Sequence, residues 1–432
     1  MPPIGPIESI NPAAQQIAIT VAAGERQTWD GYGFGLGKPA EAFAARDLYT
    51  SFATTLFDDL DTKVIRLHNP QEAGFVANCK PVVDLALSKG VDRILATGYV
   101  WRAVNEGSTN YSPTSLANFT ASAIAGGIPI THVCLQNEPD SNAPNYPPNG
   151  IAVDLVPDHI ELRNRLDALG LSAVEIIGLE WAHFGGSGED EYDRLNAAGL
   201  IPGTVGLGAG HCYKDCPANG LYDSRWLTKG LPLWSTETGN AGSPNCQARF
   251  VAALNHGAAV EIHHIGLSLG TRGDTSQFLM LGNGETQLYY GGVRVISEAI
   301  PRGTVFRLCR SSDRPEGLST TFADRMIRDG GRFNPRIQVA AGRKSDDRWV
   351  IVAVNATEGT EDKGSSFLGA HYASATLQIT TTVAEMAGQA RVFKTRRASQ
   401  TGTITTSATK NMQDGVIRFT LVAGETIALE EA

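Results

Sequence analysis

The chain has little cysteine and little charge, and each scarcity excludes a class of protein. Six cysteines in 432 residues are too few for a fold held together by disulfides. Charged residues make up 19% of the chain and the net charge is -9, which disfavours nucleic acid and anionic membranes as partners. No apolar run reaches the roughly 18 residues of a membrane span. A chain of this length can form one large domain and a smaller one.

Several sequence signals are also missing. The N-terminus lacks the basic region and apolar core of a secretory signal, so we expect either a secreted protein whose signal is absent from this chain, which we favour, or an intracellular one. No His-x-x-x-His or Cys-x-x-Cys spacing supports a metal site. The glycines at 31, 33, 35 and 37 lack the G-x-G-x-x-G order of a nucleotide-binding loop and predict close packing of a strand. No metal or cofactor is predicted.

The cysteines separate into two predicted environments. Cys212, Cys216 and Cys246 fall in predicted loops or strand ends, where one local disulfide is possible. Cys134 falls inside a predicted strand and is expected to be a buried thiol.

Short apolar segments alternate with helical periodicity through the first 300 residues. The predicted strands are 31–36, 63–68, 93–99, 132–137, 174–179, 205–211, 233–237 and 260–267. The predicted helices are 40–60, 77–89, 115–125, 159–169, 192–198 and 246–258. Eight units of this kind favour an α/β fold of the (β/α)8 TIM-barrel type over a doubly wound sheet.

From about residue 305 the pattern changes to strands alone. The predicted strands are 336–341, 349–355, 375–381, 390–394, 402–406 and 416–423. An early strand at 16–23 is expected to pair with this sheet and to end before Gly24. We therefore predict a segment 1–24 that joins an appended all-β sandwich, a catalytic barrel at 25–303 and the sandwich itself at 304–432.

Two of the barrel strands end in a carboxylate. The fourth runs into Gln136-Asn137-Glu138-Pro139, and the seventh ends in Glu237. Pro139 removes a backbone donor and is expected to hold Glu138 in extended geometry. Because the carboxyl ends of barrel strands meet at one mouth, the two carboxylates should lie together there. A carboxylate pair is the minimum equipment for acid/base and nucleophilic chemistry on an acetal.

These motifs carry a resemblance to a known group of enzymes. Asn137-Glu138-Pro139 followed by a second strand-end glutamate resembles the clan A retaining glycoside hydrolases. The opening segment WDGYGFG at 29–35 and the all-β tail are most similar to glycoside hydrolase family 30. The resemblance implies that Glu138 is the acid/base and Glu237 the nucleophile, roughly 5 Å apart.

Further site residues follow from their places at strand ends. Arg66 ends the second strand, where it would keep Glu237 charged. By resemblance, Asn137 would bind the sugar 2-hydroxyl. His211 and Tyr213 match the clan's His-x-Tyr segment, in which the Tyr donates to the nucleophile. The strand-five end could supply a hydroxyl acceptor from Glu180 and a stacking face from Trp181. A second stacking face could come from Trp101 after the third strand.

The last barrel strand departs from the family pattern. Many clan A enzymes place a Trp there, whereas this chain has His263 and His264. One of the two faces inward in a strand, and we assign His264 as a polar substrate contact.

The predicted function is hydrolysis of β-glycosidic bonds in a polysaccharide or its oligosaccharides, of xylan, β-1,6-glucan or β-1,6-galactan type. Carbohydrate and water are the expected partners, and the protein is expected to be a monomer. Loops 141–150 and 184–191 slightly favour an endo-acting enzyme with an open groove. The alternatives are an exo-acting β-glycosidase on small glycosides and a catalytically silent carbohydrate-binding barrel.

Overall fold

The computed structural model defines most of the chain. It describes residues 15–37, 39–68, 73–98, 112–139, 155–181, 187–212, 224–238, 245–268, 277–280, 290–311, 334–357, 367–368, 374–381, 383–388, 390–399 and 403–432. In this part of the chain, no helix is long and apolar enough to cross a membrane.

Eight parallel strands form a barrel in the order β6-β5-β4-β3-β2-β9-β8-β7. They are β2 (Gly31–Gly35), β3 (Thr62–His68), β4 (Arg93–Thr97), β5 (His132–Cys134), β6 (Glu175–Ile176), β7 (Gly208–Cys212), β8 (Leu233–Thr238) and β9 (Val260–His263). Bridges from Ile176 to Val205 and from Trp181 to Gly210 join the two end strands and close the barrel. The predicted fold class is confirmed.

Helices surround this barrel. They are α1 (Pro39–Ala44), α2 (Arg46–Ser51), a π-helical turn (Thr54–Asp58), α3 (Phe75–Ser88), α4 (Pro113–Ala125), α5 (Leu155–Ala168), α6 (Ser187–Ala197), α7 (Arg225–Thr228), α8 (Asn245–His256) and α9 (Tyr290–Ala299). The predicted helix 40–60 is thus three short pieces. The sequence did not predict α9, whose buried face contains Val293 and Ile296.

A nine-stranded sheet forms the appended domain, in the order β19-β18-β21-β15-β14-β12-β1-β17-β20. Its members are β1 (Gln15–Thr28), β12 (Val305–Ser311), β14 (Ile337–Arg343), β15 (Trp349–Asn355), β17 (Ser374–Thr381), β18 (Arg391–Ala398), β19 (Ile404–Met412), β20 (Val416–Val422) and β21 (Thr426–Glu431). Side chains from both ends of the sheet share one core, so its two halves pack face to face as in a sandwich. The remaining elements are the pairs β10 (Ile265–Ser268) with β11 (Gln277–Met280) and β13 (Asn334–Pro335) with β16 (Phe367–Leu368), and the short helix α10 (Ala384–Ala387).

The early strand pairs with the C-terminal sheet, as predicted. Ile19 of β1 lies opposite Ser311 of β12 and beside Ile379 of β17. The strand does not end before Gly24, because two register shifts carry its pairing on to Thr28. The domain boundaries themselves stay a prediction.

The two units share a packed interface. One face of β15, including Val350, Val352 and Val354, joins the core that lies between the barrel and its helices. The other face, including Trp349 and Ile351, fills the sandwich core. Burial on both faces explains why this strand is apolar throughout rather than alternating.

The alternation of side chains along the barrel strands determines which residues point into the barrel mouth. On β3, Val64 belongs to the apolar plug inside the barrel, with Leu95, Trp234 and Ile262. The next residues on the same face of β3 are Arg66 and His68, because side chains repeat with a period of two. The barrel is therefore closed below by apolar side chains and polar at its carboxyl end.

Candidate active site

Glu138 lies just beyond β5, in an unusual backbone conformation. Its N–H donates to the carbonyl oxygen of Glu180 at 2.7 Å. Its φ is 45°, in the left-handed region, so the predicted extended geometry is wrong. Such a conformation costs on the order of 1–3 kcal/mol in a non-glycine residue and persists where the surroundings fix it. The carboxylate is 21% exposed and is thus open to a ligand.

Glu237 lies near the end of β8 and is almost completely buried. Its Oε2 lies 2.9 Å from Nη1 of Arg66 and 3.1 Å from Nε2 of His211, and its Oε1 lies 2.9 Å from Nε2 of His264. Burial alone would raise the pKa of Glu237, but His211, His264 and Arg66 outweigh it and hold this pKa well below its usual range. The carboxylate is therefore ionised at neutral pH.

Arg66 connects both carboxylate strands through one buried guanidinium. It binds Glu180 with two hydrogen bonds, from Nε at 2.9 Å and from Nη2 at 2.8 Å. Its Nη2 also donates to Oδ1 of Asn137 at 2.5 Å, and its Nη1 faces Glu237. The planar fork of an arginine suits this simultaneous recognition. The predicted contact between Arg66 and Glu237 is present.

His211 lies between Glu138 and Glu237. Its Nδ1 is 2.8 Å from Oε1 of Glu138, while Nε2 faces Glu237. Burial lowers the pKa of His211, but the attraction of Glu237 and the hydrogen bond to Glu138 outweigh that effect and raise it. A single imidazole thus brings the two strand-end carboxylates into one site.

The end of the fifth barrel strand, at Glu180 and Trp181, differs from the prediction. Both oxygens of Glu180 are engaged by Arg66 and its side chain is completely buried, so it is a partner of the arginine rather than an acceptor for a sugar hydroxyl. Trp181 is 1% exposed and packs among the surrounding helices, so the predicted stacking face is wrong. Its indole N–H donates to Glu191 at 2.8 Å. Neighbouring strand residues face opposite sides, and only Glu180 points inward.

The two histidines of the last strand also separate. His264 faces Glu237, as its assignment to the site requires, while Nδ1 of His263 lies 3.8 Å from the sulfur of Cys246 on the helix side. The strand breaks at His264, whose N–H donates to the carbonyl of Thr238 at 2.7 Å. The single predicted strand is therefore β9 followed by β10.

Two of the cysteines with predicted environments are buried thiols in the structure. Cys246 is a buried free thiol and takes no part in a local disulfide, and Cys134 is a buried thiol as predicted. Trp101 and Tyr213 lie outside the described residues.

Sequence reasoning missed two members of this site. His68 places its ring nitrogens 2.6 and 3.2 Å from Nη1 of Arg66, and the period of two along β3 could have identified it. Glu191 on α6 contacts the strand-five end from outside the barrel, and no local pattern marks it. Within the described ranges, no group of three or more His, Cys, Asp or Glu side chains is arranged to hold a metal ion.

The barrel, its appended sandwich and the paired strand-end carboxylates are the arrangement that the resemblance to clan A glycoside hydrolases implies. No protein-family model matches the chain, and no curated protein matches it. Solved structures do, and the neighbours include several from glycoside hydrolase family 30, so the predicted resemblance is confirmed at the level of the fold.

Three of these structures show how far the likeness extends. The catalytic domain of a family 30 xylanase C from Talaromyces cellulolyticus is 17% identical with a TM-score of 0.65, over 96% of this chain and 100% of that one. A family 30 subfamily 8 xylanase from Clostridium acetobutylicum is 16% identical with a TM-score of 0.65, over 96% and 99%. An endo-β-1,6-glucanase is 14% identical with a TM-score of 0.57, over 96% and 94%.

Proposed function

We propose that this protein is a retaining glycoside hydrolase that cleaves β-glycosidic bonds through a covalent glycosyl-enzyme. The observation that carries the proposal is the placement of Glu138 and Glu237 on either side of His211 at the barrel mouth. One carboxylate is partly exposed and the other is buried and held ionised. This division of environments suits an acid/base and a nucleophile.

In the first step, Glu237 attacks the anomeric carbon while the bond to the leaving oxygen breaks. Glu138 gives its proton to that oxygen, so no free alkoxide forms. Asn137 contributes orientation: because its Oδ1 accepts from Arg66, its amide nitrogen is the group that can donate to the sugar 2-hydroxyl. Arg66 thus fixes the nucleophile and the amide together.

In the second step, water attacks the glycosyl-enzyme and Glu138 takes its proton. Glu237 is then an ester without charge, so Glu138 is the carboxylate that remains to take the proton. His211 contacts both groups and stays in place while the charge moves from one to the other. Glu138 can therefore act first as acid and then as base.

The proposed substrates are β-linked polysaccharides of xylan, β-1,6-glucan or β-1,6-galactan type. Support comes from the structural neighbours, which include xylanases and an endo-β-1,6-glucanase. His264, which follows the eighth barrel strand β9, is 25% exposed and offers a polar contact to the sugar at the cleavage site.

A product-resolved activity screen tests the proposal. Wild-type protein is incubated with xylan, β-1,6-glucan, β-1,6-galactan and aryl β-glycosides, beside Glu237→Gln and a matched control, Glu175→Gln, at an exposed glutamate on barrel strand β6. We expect activity on at least one substrate, loss of that activity in Glu237→Gln and none of this loss in the control. Activity that survives Glu237→Gln, or a folded wild type that only binds the glycans, contradicts the proposal.

Two measurements then test the retaining mechanism. Proton NMR of the first product should show the β-anomer, and an initial α-anomer would indicate inversion. A 2-deoxy-2-fluoro glycoside with a good leaving group should add one sugar mass to the peptide that contains Glu237, because the slowed intermediate accumulates. Secretion and a monomeric state are part of the same proposal, and size-exclusion chromatography and fractionation of the producing cells test them.

A further inference from the structure

The buried carboxylate of Glu191, on α6, holds the end of the fifth barrel strand, at residues 179–181, from outside the barrel. Oε1 of Glu191 accepts the backbone N–H of Leu179 at 2.8 Å, and Oε2 accepts the indole N–H of Trp181 at 2.8 Å. These two donors lie on either side of Glu180 in the chain. Glu191 therefore grips the three-residue segment 179–181 at both ends.

This segment supports both carboxylates of the site. The carbonyl of Glu180 accepts the N–H of Glu138, whose left-handed backbone depends on its surroundings. The side chain of Glu180 binds Arg66, which in turn faces Glu237. A shift of segment 179–181 would therefore move the acid/base directly and the nucleophile through one arginine.

His211 depends on the same segment. Its backbone N–H donates to the carbonyl of Trp181 at 2.7 Å, and Trp181 bridges to Gly210 where the barrel closes. The imidazole between the two carboxylates is thus attached to the residue whose indole Glu191 binds.

The chemistry of Glu191 fits a positioning role better than a packing role. The side chain is completely buried, and burying a carboxylate is costly unless donors compensate it. Burial raises the pKa of Glu191 to about 7 even though both N–H donors lower it. The strand makes room for it, since a Cβ on Gly178 would lie 3.2 Å from Oε2. An apolar side chain would fill this space at less cost but would leave both donors without an acceptor.

We propose that Glu191 is a positioning residue that sets the places of Glu138, His211 and Glu237 by holding segment 179–181. Its effect on turnover rests on the proposed glycosidase function, whereas its effect on geometry does not. Glu191 touches neither the substrate nor the reacting atoms in this scheme.

Three variants test this role. Glu191→Gln keeps one acceptor and turns an NH2 group toward the second donor. Trp181→Phe keeps an aromatic ring but removes the indole donor together with part of the buried ring volume. Asp190→Asn is the matched control, because it removes a negative charge from an exposed position next to Glu191 on α6. Each variant is compared with the wild type in melting temperature, kcat and KM on the best substrate of the screen.

The expected result separates positioning from simple stabilisation. Below the melting temperature, Glu191→Gln should lower kcat about 10- to 100-fold with little change in KM, because small misplacements of reacting groups are expensive. Trp181→Phe should act in the same direction but less, and the double variant should lose less than the product of the two because both act on one contact. Asp190→Asn should match the wild type. A lowered melting temperature with kcat within twofold of wild type would overturn the proposal.

Crystal structures of the wild type and the variants provide a test that does not depend on enzyme activity. In Glu191→Gln, we expect the contacts from Glu138 N–H to Glu180 and from Arg66 to Glu237 to lengthen beyond hydrogen-bonding distance. Unchanged contacts would overturn the proposal even if kcat falls. If the wild type hydrolyses nothing, the proposed function fails while this geometric test still decides the role of Glu191. If Glu191→Gln does not fold, Trp181→Phe supplies the same two contacts for measurement.

Discussion

Replacing Arg66 with Met removes the cation that holds two buried carboxylates. The guanidinium gives Glu180 two hydrogen bonds, at 2.9 and 2.8 Å, and faces Glu237 at 2.9 Å. His211 and His264 still contact Glu237 in the variant, so Glu180 bears the main loss. Breaking one side of a buried ion pair costs about 3–5 kcal/mol, because a charge stays buried without its partner. We expect this loss in the free energy of unfolding for Arg66→Met.

A second substitution, at Glu180, should restore stability to Arg66→Met. When Glu180 is also changed to Met, no uncompensated charge remains at that position, and a buried pair exchanged for apolar residues is often close to neutral. Most of the lost stability should therefore return in Arg66→Met with Glu180→Met, although activity should not. Lys80→Met serves as the control, since Lys80 and Asp84 form a partly exposed pair at 2.7 Å whose loss should cost about 0.5 kcal/mol or less.

Urea unfolding followed by tryptophan fluorescence measures all four proteins. The linear dependence on denaturant gives the free energy of unfolding in water, and equal slopes would show that the unfolded states are comparable. A loss below about 1 kcal/mol in Arg66→Met would refute the reasoning, because a buried charge without a partner should destabilise the folded state by more than that. A double variant no more stable than Arg66→Met would refute it as well.

Three further predictions concern pH, strand packing and the acid. Burial lowers the pKa of three histidines to between about 3 and about 4: His132, His159 and His256. Since these histidines stay neutral in the folded chain but take up protons when it unfolds, the free energy of unfolding should rise with pH up to about 6.5. It should then fall toward about pH 8, because burial raises the pKa of Glu261 to about 8 and this carboxyl stays protonated in the folded chain while it is ionised in the unfolded one. Unfolding curves from pH 4 to 9 should show this maximum. Gly35→Ala should lower the melting temperature and the activity, because its Cβ would lie 2.1 Å from the carbonyl oxygen of His264, whereas Gly24→Ala, with no atom within 4 Å, should change neither. Glu138→Ala should slow substrates with poor leaving groups far more than activated aryl glycosides, with azide restoring part of the rate as a β-glycosyl azide, and equal losses on both types would argue against its role as acid.

The sequence predicted the strand ends of the site because barrel topology converts chain position into location. Arg66, Glu138, His211 and Glu237 follow separate strands, and parallel strands bring all four to one mouth. The same geometry excludes one of our own assignments, since two adjacent strand residues cannot both face inward. Trp181 could have been recognised as outward-facing once Glu180 was placed inside.

Other features depend on contacts between distant parts of the chain. The left-handed backbone of Glu138 follows from a hydrogen bond to Glu180, and the break at His264 follows from pairing with Thr238. Helix α9 contains Gly and β-branched residues that favour other structures, and packing against the appended sheet overrides that preference. The final strand, β21, was missed although its pairing with β15 places it inside the sheet.

The place of β1 gives the molecule an order of assembly. This strand lies between β12 and β17 inside the appended sheet, so the first described segment of the chain finds its neighbours only near Ser311 and Ile379. The barrel is in effect inserted between two parts of one sandwich, and a ribosome releases the whole barrel before that sandwich can form. Closing such a long interval is slow and leaves unpaired strands exposed meanwhile. A circular permutant that begins at the barrel and carries β1 after β21 would shorten the interval and should refold faster than the natural chain.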